Sequence, residues 1–283
     1  MIKIVTDSST LFSVKEGQAK NINIVPLSVT INDKTYKEIE DINTEEFISI
    51  INDGYIPMSS QPPIGEVINI YEKYQDDEII NISMADGLSG TYTTACMAKN
   101  MLEYGDRISV INSKTLCGPH RYLVEVAVKL AEANKSREEI VREIEELKET
   151  SKSFLIPNDF DFLVRGGRLN PVVGKIGGLI KLVPVMKQDD DGRTLVKFVT
   201  KRTFSKAILS ICESLKELGV NENYKIYIAH ACKEELANIA KGIILDNIIC
   251  NDIEILKLSP AFTTQGGPGC IAIQMIKKHS ILD

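Results

Sequence analysis

The hydroxyls of Ser89 and Thr91, within Gly87-Leu88-Ser89-Gly90-Thr91-Tyr92, are the groups best placed for chemistry. The segment joins an apolar run over 78–84, which reads as a strand, to a helical pattern that begins at Thr91. Glycines let backbone come close to a ligand, and a helix start offers unpaired N–H groups at the positive end of its dipole. Such a turn can hold a carboxylate or a phosphate. It can equally be a plain cap, with Ser89 doing no more than closing the first helical turn. A nucleophilic Ser89 is a third reading, although the hydrolase elbow Gly-x-Ser-x-Gly would need glycine at Thr91. Its base would have to be one of only three histidines, His120, His230 and His279.

Two further hydroxyl-rich loops accompany this one. Ser59-Ser60-Gln61-Pro62 precedes a helical pattern, and Asp7-Ser8-Ser9 ends the first strand. Loops that follow successive strands of an open parallel sheet converge on one edge, where ligands bind. Three such loops together point to a shared anion pocket more than to three unrelated caps. Arg165-Gly166-Gly167-Arg168 could add a guanidinium for a carboxylate or an acidic partner, or could be a solvated turn. Downstream, Leu169, Val172, Val173, Ile176, Leu179, Ile180, Leu182, Val183 and Val185 could line a pocket for an apolar tail, or simply fill a core. Nucleotide signatures are missing: Gly174-Lys175 is followed by Ile176 rather than Ser or Thr, and no Gly-x-Gly-x-x-Gly follows a strand. Gly266-Gly267-Pro268-Gly269 reads as a rigid turn before a helix.

The elements that must position these residues alternate between strand and helix over the first half. Strands are expected at 1–6, Ile22–Ile31, Glu78–Met84 and Arg107–Asn112. Helices are expected over Glu45–Ile51 with Thr44 as cap, Ile64–Tyr74, Thr91–Leu102, Tyr122–Ala133 and, behind the capping box Ser136/Glu139, on to Thr150. This predicts a mainly parallel sheet with helices on both faces. Beyond about residue 152 come strands at 182–186, 194–200, 224–230 and 252–258, with helices at 203–218, 233–245 and from about 268. The fold class is therefore α/β in two domains: an N-terminal α/β/α domain, 1–152, and a C-terminal α+β domain, 153–283.

With 283 residues, 43% of them hydrophobic and 25% charged, the chain can build a full core. Its formal charge of −6 argues against general affinity for nucleic acid or anionic membrane. No targeting segment or membrane span is visible, and six scattered cysteines without a Cys-x-x-Cys pair fit a reducing cytoplasm and no metal site.

Taken in order, the motifs resemble the DegV family of fatty-acid-binding proteins. The matching run is Thr6-Asp7-Ser8-Ser9, Ser59-Ser60-Gln61-Pro62, Leu88-Ser89-Gly90-Thr91-Tyr92, Arg165-Gly166-Gly167-Arg168-Leu169, Pro184 with Lys187, Lys201-Arg202-Thr203 and Gly267-Pro268-Gly269. The resemblance spans almost the whole chain. It implies a long-chain fatty acid held between two domains and presented to a separate ATP-dependent fatty acid kinase subunit. The chain itself would then carry neither cofactor nor catalytic residue. The carboxylate would be gripped by Ser59 and Ser89 with the Gly90 amide, near Thr91, and the tail would enter a C-terminal apolar tunnel. Arg168 and Arg202 match arginines associated with the kinase-facing side. Three positions depart from the family pattern: Ser59 replaces threonine, Ala85-Asp86 replaces two serines, and Gln265 replaces a histidine at the head group. A hydrolase of acyl esters using Ser89, or a binder of a small polar metabolite, are the competing functions.

Overall fold

The structure is a computed structural model that describes residues 1–169, 182–189 and 191–282. Strand β1 (Ile2–Asp7) is followed by helix α1 (Val14–Ala19) and by β2 (Ile22–Val25), parallel to β1. The apolar run 22–31 expected as one strand is two. Pro26, which has no N–H to give a ladder, falls at the break, and β3 (Ser28–Ile31) leaves for a second sheet. Asn32 and Asp33, with φ of 50° and 56°, turn it back into β4 (Lys34–Lys37), as a two-residue hairpin requires. Helix α2 (Thr44–Asn52) is capped by Asn43, which accepts the Glu46 amide. The expected cap, Thr44, instead gives its hydroxyl to the Leu258 carbonyl at 2.7 Å. Strand β5 (Met58–Ser60) then pairs with the free side of β3.

Helix α3 (Ile64–Lys73), β6 (Glu78–Ser83), α4 (Thr91–Asn100), β7 (Ile108–Asn112), α5 (Cys117–Glu132) and α6 (Arg137–Lys148) complete the first half. The main sheet runs β2-β1-β6-β7, all parallel. Its strands are apolar on both faces, as a doubly covered parallel sheet demands. Val5, Ile79 and Ile108 pack with Val67 of α3 and Ala98 of α4. Ile4, Ile80 and Ile111 pack with Leu123 and Val126 of α5.

The second half holds β8 (Lys152–Ile156), α7 (Phe160–Gly166), β9 (Val183–Gln188), β10 (Leu195–Lys201), α8 (Phe204–Glu217), β11 (Tyr224–His230), α9 (Glu234–Asn247), β12 (Ile253–Lys257), α10 (Pro260–Gly266) and β13 (Ile271–Lys277). Its sheet runs β10-β9-β8-β13-β11-β12 and is antiparallel except for the β11/β12 pair. The helix expected from about 268 is thus a strand, and Gly266–Gly269 turns into it. Strand β13 sits mid-sheet with both faces covered, so Cys270–Ile276 shows no alternation, and periodicity alone cannot tell such a run from a helix. Helices α8 and α9 cover one face. On the other lies α5, where Tyr227 and Ile276 join the core of the first half. Eleven of the sixteen residues of α5 are buried, which fits a helix held between two sheets.

Candidate functional site

Strand pleating decides which serine of the Ser59-Ser60 pair faces inward. Ser59 lies opposite Val29, whose side chain is fully buried, while Met58 and Ser60 alternate to the exposed face. Ser59 therefore enters the site from the three-stranded antiparallel sheet, not from a loop after a parallel strand as expected. Gln265, on α10, reaches it and donates Nε2–H to Ser59 Oγ at 3.0 Å. A hydroxyl can donate once and accept twice. Ser59 thus keeps its own proton without an acceptor among the described residues.

Ser89 stands before Gly90, the N-cap of α4. Its Oγ lies 2.8 Å from Thr91 Oγ1 and accepts the Thr91 amide at 3.3 Å. One hydroxyl of this pair has its proton directed at the other, leaving one proton over. Capping and ligand binding are therefore compatible at Ser89. The two glycines of the turn admit protein, not ligand. A Cβ on Gly90 would run into the Gln61 amide, which in turn donates to Thr94 Oγ1 at 3.1 Å, and a Cβ on Gly87 would strike the backbone of Arg193. Asp86 is turned to the same arginine, whose Nη1 lies 3.0 Å from its Oδ2. The extra carboxylate is thus paired away from the hydroxyls.

Arg168 completes the wall. Its half-buried guanidinium donates Nε–H to the Leu88 carbonyl at 3.2 Å and Nη1–H to the Gly166 carbonyl at 2.5 Å. Among the described residues these contacts take two of its five N–H donors. Gly166 also gives Gln265 room, since a Cβ there would overlap Oε1 of the amide, a buried atom with no hydrogen-bond partner among the described residues. Arg202 is exposed, just beyond the end of edge strand β10.

Ser59, Gln61, Leu88, Ser89, Arg168 and Gln265 line a cavity of about 390 Å³. Met84, Leu88, Arg168, Phe262 and Gln265 also wall a second, apolar chamber of about 100 Å³ that continues over the six-stranded sheet past Leu155, Cys270 and Ala272. Val172, Val173, Ile176, Leu179 and Ile180, weighed as tail lining, lie outside the described residues. Leu169 and Val185 are buried in other clusters and Leu182 is 39% exposed. Among the described residues the chamber is walled mainly by β8, β13 and α10, and β13 is the segment whose pattern reads as a helix. A roomier cleft of about 480 Å³ between α1 and α5 is lined by lysines and carboxylates, among them the paired Lys20–Glu125 and Lys129–Glu132, and shares none of these residues.

The Asp7-Ser8-Ser9 loop does not join the pocket. Asp7 accepts the amides of Ser9 at 2.9 Å and Met84 at 3.0 Å. Ser8 donates to Glu38 at 2.5 Å and accepts the Leu27 amide. Ser9 Oγ meets His120 Nδ1 at 2.7 Å, while His120 Nε2 lies 3.0 Å from the Ile82 carbonyl. A carbonyl only accepts, so Nε2 carries the proton and Nδ1 takes that of Ser9. Burial holds the His120 pKa below its ordinary value, keeping this ring neutral, and pushes that of Glu38 up. Glu38 gave no sequence signal, yet it ties Ser8 to the Ala261 amide at the start of α10. With His120 occupied, His230 accepting the Lys233 amide and His279 beside Glu143, no histidine serves Ser89 as a base.

A three-sheet α/β protein with a hydroxyl- and guanidinium-lined pocket opening on an apolar wall is the class these features define. The chain belongs to the DegV family: residues 1–278 match the family described as "Uncharacterised protein, DegV family". It is 34% identical over 278 residues to a DegV domain-containing protein of Staphylococcus aureus (strain N315), covering 97% of this chain and 98% of that one. DegV domain-containing protein YejH of Lactococcus lactis is 33% identical over 279 residues, at 97% and 98% coverage. Among solved structures, DegV, a fatty acid binding protein from Bacillus subtilis, superposes with a TM-score of 0.83 at 29% identity, covering 98% of this chain and 99% of that one. A fatty-acid-binding DegV family protein from Thermus thermophilus gives 0.89 at 21% identity, with the same coverage, which shows the shared fold. No helix among the described residues is long and apolar enough to cross a membrane.

Proposed function

We propose that the chain binds a long-chain fatty acid, its carboxylate held by Ser59 and Ser89 with help from the Gly90 amide and its tail in the apolar chamber over the six-stranded sheet. The carrying observation is the convergence on one cavity of donors that have no acceptor among the described residues: the Ser59 proton, one proton of the Ser89–Thr91 pair, and three N–H groups of Arg168. Charge-assisted hydrogen bonds of this kind suit a carboxylate, and Arg168 supplies the positive charge that Gln265 does not. Gln265 acts on Ser59, leaving its proton for the ligand. The Bacillus subtilis relative, described as a fatty acid binding protein, supports the same reading.

In this reading residues 1–152 and 153–283 are two domains, the first supplying the hydroxyls and the second most of the tail wall. The protein is cytoplasmic and is not itself an enzyme. It presents its ligand to a separate ATP-dependent kinase subunit, and exposed Arg202 is the residue we assign to that contact. Organic extraction of protein purified from bacteria, followed by mass spectrometry, tests the binding. A fatty acid at near-stoichiometric amount is expected; protein that carries none and takes up none when offered would refute the reading. Arg202→Ala should leave acid affinity unchanged and slow acyl phosphate formation by the partner.

A further inference from the structure

The tail chamber is apolar only part of the way. Cys270, just before β13, and Ala272 and Gln274 on it line the chamber, and on β8 so do Leu155 and Ser153. Gln274 pairs with Ser153 across β13 and β8, and one step along the β8/β9 register sets Ser153 beside Gln188. Three adjacent strands thus place a row of polar side chains, Gln274, Ser153 and Gln188, across the chamber wall.

The row is fixed by its own hydrogen bonds. Gln274 donates Nε2–H to the Leu116 carbonyl at 3.0 Å and to Ser153 Oγ at 2.9 Å, and its Oε1 accepts the Gly118 amide at 3.3 Å. Gln188 donates to the carbonyls of Lys114 and Gly192, both at 2.8 Å. A methylene chain cannot pass such groups without separating buried polar partners, and it gains nothing by lying against them.

Resting on the fatty-acid reading above, we infer that the Gln274–Ser153–Gln188 row is the stop for the acyl tail and sets the longest chain the site rewards. Four residue steps lead from Cys270, packed against Gly266 at the pocket end, along β13 to Gln274. That is about 13 Å of strand, which an extended alkyl chain covers in about ten carbons if each C–C bond of about 1.5 Å advances it about 1.25 Å. The chamber of about 100 Å³ is narrow, in keeping with a limited tail.

Titration calorimetry of the full chain with saturated acids of about eight to about eighteen carbons tests this, since each buried methylene should raise affinity about fourfold. The gain should stop at one chain length and stay flat beyond it. Ser153→Ala combined with Gln274→Met should move the break to longer acids. Ala272→Leu, which fills the chamber before the row, should move it to shorter ones, and it serves with Ser153→Ala alone if the double variant melts early. Affinity that climbs without a break, or a break that neither variant set moves, overturns the inference while the fatty-acid reading stands. Failure of every acid to bind removes both.

Discussion

Two hydroxyl-rich clusters, Asp7-Ser8-Ser9 and Ser59 with Ser89, look alike as sequence and differ in where their hydrogen bonds go. The first is sealed: Asp7 holds two amides, Ser8 holds Glu38, and Ser9 holds His120, all within the core. The second is partly unpaired. Ser59 accepts from Gln265, Ser89 and Thr91 share one hydrogen bond, and among the described residues Arg168 uses two donors of five. A polar cluster whose partners are all internal holds a fold, whereas one with donors left over around a cavity is fitted to a ligand. The sealed cluster also serves the open one, because Asp7 fixes Met84 in the pocket wall and Glu38 fixes the start of α10, which carries Gln265.

The sharpest way to break this contrast is to remove one member of each. Asp7→Ala strands two buried amides and should cost about 2–5 kcal/mol of stability in urea unfolding, whereas Ser89→Ala should cost little. Equal losses from the two would erase the distinction. On the ligand side, Arg168→Ala should weaken fatty acid binding by about 1.5–3 kcal/mol, and Arg168→Lys should restore only part of it, because an ammonium cannot keep the forked geometry. Ser59→Ala and Ser89→Ala should each weaken binding by about 1–2 kcal/mol, measured by displacement of a fluorescent fatty acid.

A smaller effect lies in the pH dependence of the sealed cluster. As pH falls through about 6.5 the unfolded chain protonates histidines that burial keeps neutral in the fold, at His120 and at His230, so stability should fall. Glu38 works the other way. Its folded pKa is raised above 4.5, so its contribution is full below that value and is lost as pH rises through the folded one. His120→Gln should flatten the decline between about pH 7 and pH 5 in urea midpoints; an unchanged slope would mean the ring is not held neutral.

Much of the fold was legible because helices and the parallel strands carry their own periodicity, and the strand at 224–230 falls on β11 residue for residue. Legibility failed where burial is two-sided or pairing is distant. β13 has neighbours on both edges and apolar cover on both faces, so nothing in Cys270–Ile276 says strand rather than helix. Ser59 and Gln265 each stand out in sequence, yet their mutual hydrogen bond joins residues 206 positions apart and is not legible from either segment. The pattern around Gly87 and Gly90 suggests room for a ligand. Only the structure shows Arg193 and Gln61 occupying that room.

The most direct measurement compares the affinity of a long-chain fatty acid with that of its methyl ester, which keeps the tail and loses the charge. If the unpaired donors of Ser59, Ser89 and Arg168 hold a carboxylate, the acid should bind at least about tenfold more tightly, and Arg168→Ala should remove most of the difference. An ester that binds the unaltered protein as tightly as the acid would contradict the account.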